Sequence, residues 1–218
     1  MKLPTLASLE QAVTLVYEAM PPTPQFCWPL VCQRIGAEVW VKHENHTPLG
    51  AFKIRGGLVY FDELKRQDPK VRGIVAATRG NHGQSIAFAA QRHGLEATIV
   101  IPHGNSLEKN AAMRARGVEL IEYGSDFQDA LEHAQKLSQS EGLHMVPSFA
   151  EALVRGVASY SMELFGAVRD LHALYVPIGL GSGICGAIAA REALGMKAEI
   201  VGVVAAAAPA YADRKSVV

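Results

Sequence analysis

The chain alternates between short, continuously apolar runs and longer stretches with a single apolar face. Gly73–Ala77 (GIVAA), Ala97–Ile101 (ATIVI), Val118–Glu122, Leu143–Val146, Ala173–Pro177 and Glu199–Val204 read as strands. Continuous apolar character marks strands covered on both faces. Glu38–Lys42 (EVWVK) alternates instead and reads as a half-buried strand. The first helical stretch carries Leu9, Val13, Val16, Tyr17 and Met20, with Ser8 as its cap and Pro21-Pro22 as its stop. Phe52–Arg66 is the second, with Leu58, Phe61 and Leu64 apolar and Lys65 and Arg66 at its C-terminal end. Gln84–His93, Ser106–Arg116, Asp126–Ser138, Gly156–Val168 and Ile184–Leu194 follow, two of them closed by Gly94 and Gly117. Strands separated by helices in regular alternation predict an α/β fold with mostly parallel sheets. Ligands of such sheets bind beyond the carboxyl ends of the strands. The loops after the strands are therefore where chemistry is expected.

Composition narrows the function classes. Of 218 residues, 49% are hydrophobic and 19% charged, which excludes a disordered chain. Twenty-one basic residues balance 21 acidic ones, so no electrostatic footprint for nucleic acid or an anionic membrane is present. Apolar runs such as Val201–Ala208 are too short to cross a bilayer, and the N-terminus lacks a basic-then-apolar leader. Three cysteines cannot pair completely, and Cys27 and Cys32 lack a second ligand pair at zinc spacing. The expected setting is a reduced, cytoplasmic one.

Three loops are chemically unusual. Ile178-Gly179-Leu180-Gly181-Ser182-Gly183-Ile184 follows a strand and opens a helix. Glycines there let the backbone approach an anion, and the free N–H groups of a helix start point at it. The run lacks the Lys-Ser/Thr ending of a nucleoside-triphosphate loop. A tight strand–helix turn is its plainer reading. Thr78-Arg79-Gly80-Asn81-His82-Gly83-Gln84-Ser85 puts small and hydrogen-bonding residues at another helix start, suited to a carboxylate or phosphate oxygen. An ordinary Asn-capped helix leaves that density of donors unexplained. The third run is His43 through Gly57. Within it, Lys53 stands between apolar Ala51-Phe52 and Ile54 near a helix start, where an amine loses proton affinity. A neutral lysine amine is what a Schiff base requires, although most lysines are simply exposed. His43 and His46 are spaced as a metal pair, but no third ligand follows.

Together these loops resemble the serine/threonine dehydratases, the fold-type II pyridoxal-phosphate enzymes related to the tryptophan synthase β chain. Gly50-Ala51-Phe52-Lys53-Ile54-Arg55-Gly56 is similar to the family's cofactor attachment site, Gly80-Asn81-His82-Gly83-Gln84 to its substrate-carboxylate loop, and Gly179–Gly183 to its phosphate cup. Pro102…Lys109…Met113…Gly117 and Gly156…Glu163 also follow the pattern, and the resemblance runs from about Pro21 onward. It implies that Lys53 holds pyridoxal 5'-phosphate as a Schiff base and moves the substrate's α-proton. Phe52 would pack on the cofactor ring and Asn81 would bond its 3-oxygen. Gly179, Leu180, Gly181, Ser182 and Gly183 would wrap the phosphate, while Thr78, Arg79, Gly80, Asn81 and His82 would seat the substrate. The implied activity is deamination of L-threonine or L-serine, most like a threonine dehydratase: the β-hydroxyl leaves and a 2-oxo acid and ammonia are released. β-Replacement, another reaction of this fold type, or a cofactor-binding but catalytically idle module are the alternatives.

Several positions depart from the family pattern. Leu49 replaces a usual Thr or Ser. Arg79 stands where related racemases carry Ser, which argues against racemisation and suits an acidic substrate or the carboxylate itself. Leu180 and Ser182 replace glycines, and a Leu requires a negative φ there. Val204–Ala208 offers no oxygen ligand where some members hold a divalent cation, so no metal is expected. Ala212–Val218 finishes no recognisable element, as expected of a C-terminally incomplete domain whose missing part holds the pyridine-nitrogen partner. By resemblance, two three-layer α/β domains enclose the cofactor in a cleft: residues 1–49 plus 150–218 form the larger, 50–149 the smaller. Homodimerisation is also implied. Burial beside Phe52 and Ala51, with Arg55 and a helix start nearby, is expected to push Lys53 toward its neutral form.

Overall fold

The computed structural model describes residues 3–207 and 209. Ala208 and residues 210–218, including the whole Ala212–Val218 stretch and the last residue of the oxygen-free run, lie outside the described residues. In chain order the elements are α1 (Leu6–Tyr17), β1 (Gln25–Cys27), α2 (Pro29–Ile35), β2 (Trp40–Lys42), a single 3-10 turn (Glu44–His46), α3 (Lys53–Gln67), β3 (Gly73–Ala77), α4 (Asn81–Arg92), β4 (Glu96–Ile101), α5 (Leu107–Arg114), β5 (Glu119–Glu122), α6 (Phe127–Glu141), β6 (His144–Met145), α7 (Glu151–Ala167), β7 (Ala173–Pro177), α8 (Ser182–Ala193) and β8 (Glu199–Val203).

The expected α/β architecture with parallel sheets is present. A four-stranded parallel sheet runs in the order β5-β4-β3-β6, and β7 pairs with β8 in parallel. β1 and β2 form an antiparallel ribbon. Every residue of β3 is buried, and alternation sends its side chains to opposite faces. Ile74 and Ala76 join Phe61 of α3, Ile86 and Ala89 of α4, and Met113 of α5. Val75 and Ala77 join Ala130 and Ala134 of α6. Helices cover both faces, which is why the strand is continuously apolar.

Some boundaries differ from expectation for local reasons. Thr5, not Ser8, caps α1: its side chain accepts the Ser8 N–H. α7 begins at Glu151 rather than Gly156, because Gly156 lies mid-helix to permit close packing. A Cβ on Gly156 would sit 2.2 Å from the Arg55 carbonyl oxygen, and one on Gly56 would sit 2.8 Å from the Leu153 carbonyl oxygen. The backbones of α3 and α7 therefore touch through reciprocal glycines. Gly156→Ala is expected to cost about 1–3 kcal/mol through overpacking, which outweighs the ~1 kcal/mol that alanine gains in helix propensity. Urea unfolding measures it. Gly166→Ala, in the same helix with nothing within 4 Å of its Cβ, should instead be neutral or stabilising.

Candidate functional site

The segment before Lys53 is tightly determined. Thr47 Oγ1 accepts the Ala51 N–H and donates to the Ala51 carbonyl, each at 2.9 Å. Gly50, at φ 65°, makes the turn between them and donates its N–H to the Thr47 carbonyl. α3 then starts at Lys53, and the Lys53 carbonyl accepts the Ser85 hydroxyl at 2.6 Å, tying α3 to α4.

The Lys53 amine donates to Ser182 Oγ at 2.8 Å. Two residues 129 positions apart thus meet at the start of α8. Gly181 precedes that helix at φ 101°, a left-handed conformation suited to glycine. The N–H groups of Ser182, Gly183 and Ile184 have no intrahelical acceptor, since Cys185 makes the first helical bond, to Gly181. Phe52 packs edge-on against Tyr160 at 5.9 Å, and the Lys53 amine lies 5.3 Å from the Phe52 ring centre. Tyr160 donates to the Gly183 carbonyl at 3.3 Å, and burial pushes its phenol above the ordinary range. A cleft of about 1060 Å³ runs from β2 and the end of α7 to Phe52 and Tyr160, with Lys42, Glu44 and Val176 also in its lining.

The loop after β3 lies alongside. Thr78 is buried and accepts the Gly80 N–H at 3.2 Å. A Cβ on Gly83 would meet Met113 Sδ and Thr78 Cγ2 at 2.5 Å, so α4 must open with a small residue there. His82 is also buried, and its Nε2–H donates to the Pro147 carbonyl at 3.2 Å, which leaves Nδ1 as the acceptor nitrogen. Burial, with the Lys53 charge adding to it, lowers the imidazole to about 4, so it is neutral at pH 7. Phe149, two residues past Pro147, lies 3.8 Å from where a Cβ on Gly181 would stand. The loops after β3, β6 and β7 therefore gather around the Lys53 amine at the carboxyl ends of parallel strands.

Asn81 opens α4 and is exposed, as is Arg79, which forms no ion pair among the described residues. The Lys109 side chain lies over Gly80, with Nζ 3.1 Å from a Cβ placed there. Leu180 is 48% exposed, at a φ that is not positive. Leu49 is half-buried and packs on the α1–α3 cluster, so it is a core contact rather than a lost polar one. His43 accepts the Trp28 indole N–H at 3.0 Å.

One expectation needs correction. Arg55 does not help to neutralise Lys53; burial alone lowers that amine. The Arg55 side chain is fully buried, with Nε on Glu44 at 2.7 Å and Nη1 on Glu163 at 2.6 Å. Lys42 pairs with Glu163 at 2.5 Å, and Ser159 and Thr23 accept further Arg55 N–H groups. The arginine's charge is spent on two carboxylates and does not reach the amine. Residue-pattern reading missed this network, although a charged Glu163 within the apolar helix Gly156–Val168 was a signal for it. It also missed the Ser182 hydroxyl as the partner of Lys53.

A half-buried, deprotonation-prone amine one hydrogen bond from a helix start rich in free N–H groups fits a phosphorylated carbonyl cofactor. The comparisons agree. The family described as pyridoxal-phosphate dependent enzyme matches residues 16–216. The chain is 33% identical over 175 residues to the biosynthetic L-threonine dehydratase of Haemophilus influenzae, covering 80% of this chain and 34% of that protein. It is 30% identical over 204 residues to the L-threo-3-hydroxyaspartate ammonia-lyase of Saccharomyces cerevisiae, covering 93% of this chain and 62% of that protein. Among solved structures, threonine deaminase isoform 2 from Solanum lycopersicum superposes with a TM-score of 0.84 at 29% identity, over 93% of this chain and 60% of that one. The chain thus spans about a third of the length of the first relative and under two thirds of the others.

Proposed function

The chain belongs to the pyridoxal-phosphate dependent enzymes, and we propose that it holds its cofactor on Lys53 and acts as an ammonia-lyase on a small β-hydroxy amino acid, L-threonine or L-serine. The contact between the Lys53 amine and Ser182 carries the reading, because it sets an amine whose proton affinity burial lowers against the donors that would receive a phosphate.

When bound, the cofactor supplies the electron sink for the pair left on the substrate's α-carbon. The chain's own residues do the rest. The N–H groups from Gly179 to Gly183 and the Ser182 hydroxyl would hold the dianion at the positive end of α8. Phe52, braced by Tyr160, presents an apolar face beside the amine and keeps water from one side. Asn81, exposed at the start of α4, would be the donor for the cofactor's ring oxygen. Thr78, Gly80 and the first turn of α4 offer N–H and hydroxyl groups to a carboxylate, and Arg79 adds a cation at the loop's exposed edge. His82 supports that turn through Pro147 as a neutral group. The Lys53 amine would accept the α-proton and could return one to the leaving hydroxyl.

The proposed division sets residues 50–149 apart from 1–49 plus 150–218; its support is that the four-stranded sheet β5-β4-β3-β6 lies wholly within 50–149. Three free thiols among the described residues suit a reducing, cytoplasmic setting. Among those residues no helix is long and apolar enough to cross a membrane. Homodimerisation is part of the proposal on the family resemblance alone.

The test is to incubate the chain with pyridoxal phosphate and L-threonine and assay 2-oxobutyrate and ammonia. Product from O-acetylserine and sulfide alone would assign it to β-replacement. Cofactor fixed on Lys53 by borohydride with no turnover of any β-hydroxy amino acid would make it an idle binding module.

A second substrate reading has its own observation. Arg79 and Lys109 place two cations without ion-pair partners, among the described residues, at the loop after β3. Charge-assisted bonds to a carboxylate are the strong ones, so a β-hydroxy amino acid with an acidic side chain suits that edge. On this reading Arg79→Ser lowers kcat/KM for L-threo-3-hydroxyaspartate by about tenfold or more, on the order of one charged hydrogen bond, and leaves L-serine within a few-fold. An equal loss on both substrates would assign Arg79 to the α-carboxylate instead.

A further inference from the structure

Two of the three cysteines stand together on the β1–α2 segment. Cys27 ends β1 opposite Trp40 of β2, and Cys32 lies in α2. Their sulfurs are 3.5 Å apart and both residues are partly exposed. The Val39 N–H points at Cys32 Sγ from 3.2 Å. Four residues lie between them, and the strand-to-helix turn brings the two side chains into contact without closing on any metal: among the described residues no third histidine, cysteine or acid joins them.

We propose that Cys27 and Cys32 are a redox-active dithiol, closed to an intramolecular disulfide by a peroxide and reopened by a thiol reductant. The geometry separates their roles. The Val39 N–H reaches Cys32 Sγ at 3.2 Å and would steady negative charge developing there, so Cys32 is the sulfur that attacks. Its sulfur takes one oxygen as the peroxide O–O bond breaks, leaving a sulfenic acid and hydroxide. The Cys27 sulfur then attacks Cys32, the S–O bond breaks, and hydroxide departs. Two thiols and one hydrogen peroxide give one disulfide and two waters, the peroxide taking both electrons. Sharing a proton with Cys32 keeps the Cys27 thiol above its ordinary range. Oxidation of Cys32 removes that restraint and frees Cys27 for the second step.

The bridge acts on a helix that needs it. α2 has no buried residue, and its Leu30 and Ile35 are exposed. Its hold on the β1–β2 ribbon rests on a few backbone bonds and the two sulfurs, so the element sits at the low-stability end of the fold. A cross-link from Cys32 to Cys27 fastens α2 to the ribbon.

The experiment treats the 218-residue chain with stoichiometric hydrogen peroxide and counts thiols after denaturation. Titratable thiols should fall from three to one, the intact mass should drop by two hydrogens, and dithiothreitol should restore both. Peptide mapping should place the bridge between Cys27 and Cys32, and tryptic cleavage after Arg34 should slow in the oxidised chain. Cys185→Ser should close as the wild type does. Cys27→Ser should leave a sulfenic acid on Cys32 that dimedone traps. Intermolecular dimers, a bridge to Cys185, or over-oxidised single cysteines as the main product would each overturn the proposal, as would dimedone labelling at Cys27 in preference to Cys32.

Discussion

Lys53→Arg is expected to lose the visible band of bound pyridoxal phosphate and its turnover together. Arginine keeps the positive charge and most of the volume, but it does not form an imine and does not give up a proton near neutral pH. Proton transfer by a positioned group is itself worth ~10²–10⁴-fold, so the residual rate should fall at least that far, and further with the cofactor's attachment gone. The partner side chain sharpens the test. Because Lys53 donates to Ser182, arginine can still reach that hydroxyl, and the fold should survive. Spectral titration with pyridoxal phosphate and the 2-oxobutyrate assay read the two losses separately. A Lys53→Arg chain that still deaminates threonine at the parent rate removes this lysine from the reaction.

Stability provides a second readout at the same residue. Burial lowers the Lys53 amine below the ordinary lysine value, so the unfolded chain binds the proton more tightly than the folded one. Stability from this group therefore rises with pH, across the window from the lowered folded value up to about 10.4. Lys53→Ala removes the buried charge and should be as stable as the parent or more so at pH 7. The difference should shrink as pH climbs through that window. Thermal unfolding at pH 7 and pH 10 measures it.

Much of this was legible in the residues. Buried strands such as Gly73–Ala77 announce themselves by unbroken apolar character, and the loops after them by clustered glycines and donors. Helix starts were harder to read. Asn81–Gly83 and Ser182–Gly183 look like loop because small polar residues and glycine are poor helix formers, yet they are first turns whose free N–H groups are the point of the site. Gly156 reads as a helix start for the same reason, while its role is to let α7 touch α3. β1 and α2 escaped because three residues before a proline carry no period. Arg55 was the largest omission. Next to Lys53 it resembles another cation at a helix start, and its carboxylate partners lie 11 and 108 residues away, at Glu44 and Glu163.

That network carries the other large expected effect. Arg55 is fully buried between Glu44 and Glu163, and joins α3 to α7 and to the turn before the Lys53 loop. Removing one member of a buried pair leaves an uncompensated charge, at about 3–5 kcal/mol. Arg55→Met should fall in that range by urea unfolding at pH 7, because Lys42 alone must then serve both carboxylates. Arg55→Lys should recover only part, since an ammonium lacks the planar fork that serves two partners at once. The pH dependence distinguishes lost charge pairing from lost volume. Burial on its own would raise the Glu163 carboxyl, but the hydrogen bonds and charge of Arg55, with Lys42 adding to them, hold it below the ordinary range. A depressed folded value means stability that is present above the unfolded carboxylate value of about 4.3 and lost as pH falls through the folded value. The parent should therefore weaken on acidification below about pH 4, whereas Arg55→Met, already without the group that holds the proton off, should weaken less. Its deficit against the parent should narrow from pH 7 to pH 3. A deficit that stays constant over that range would mean that Arg55 contributes by filling space between α3 and α7 rather than by its charge.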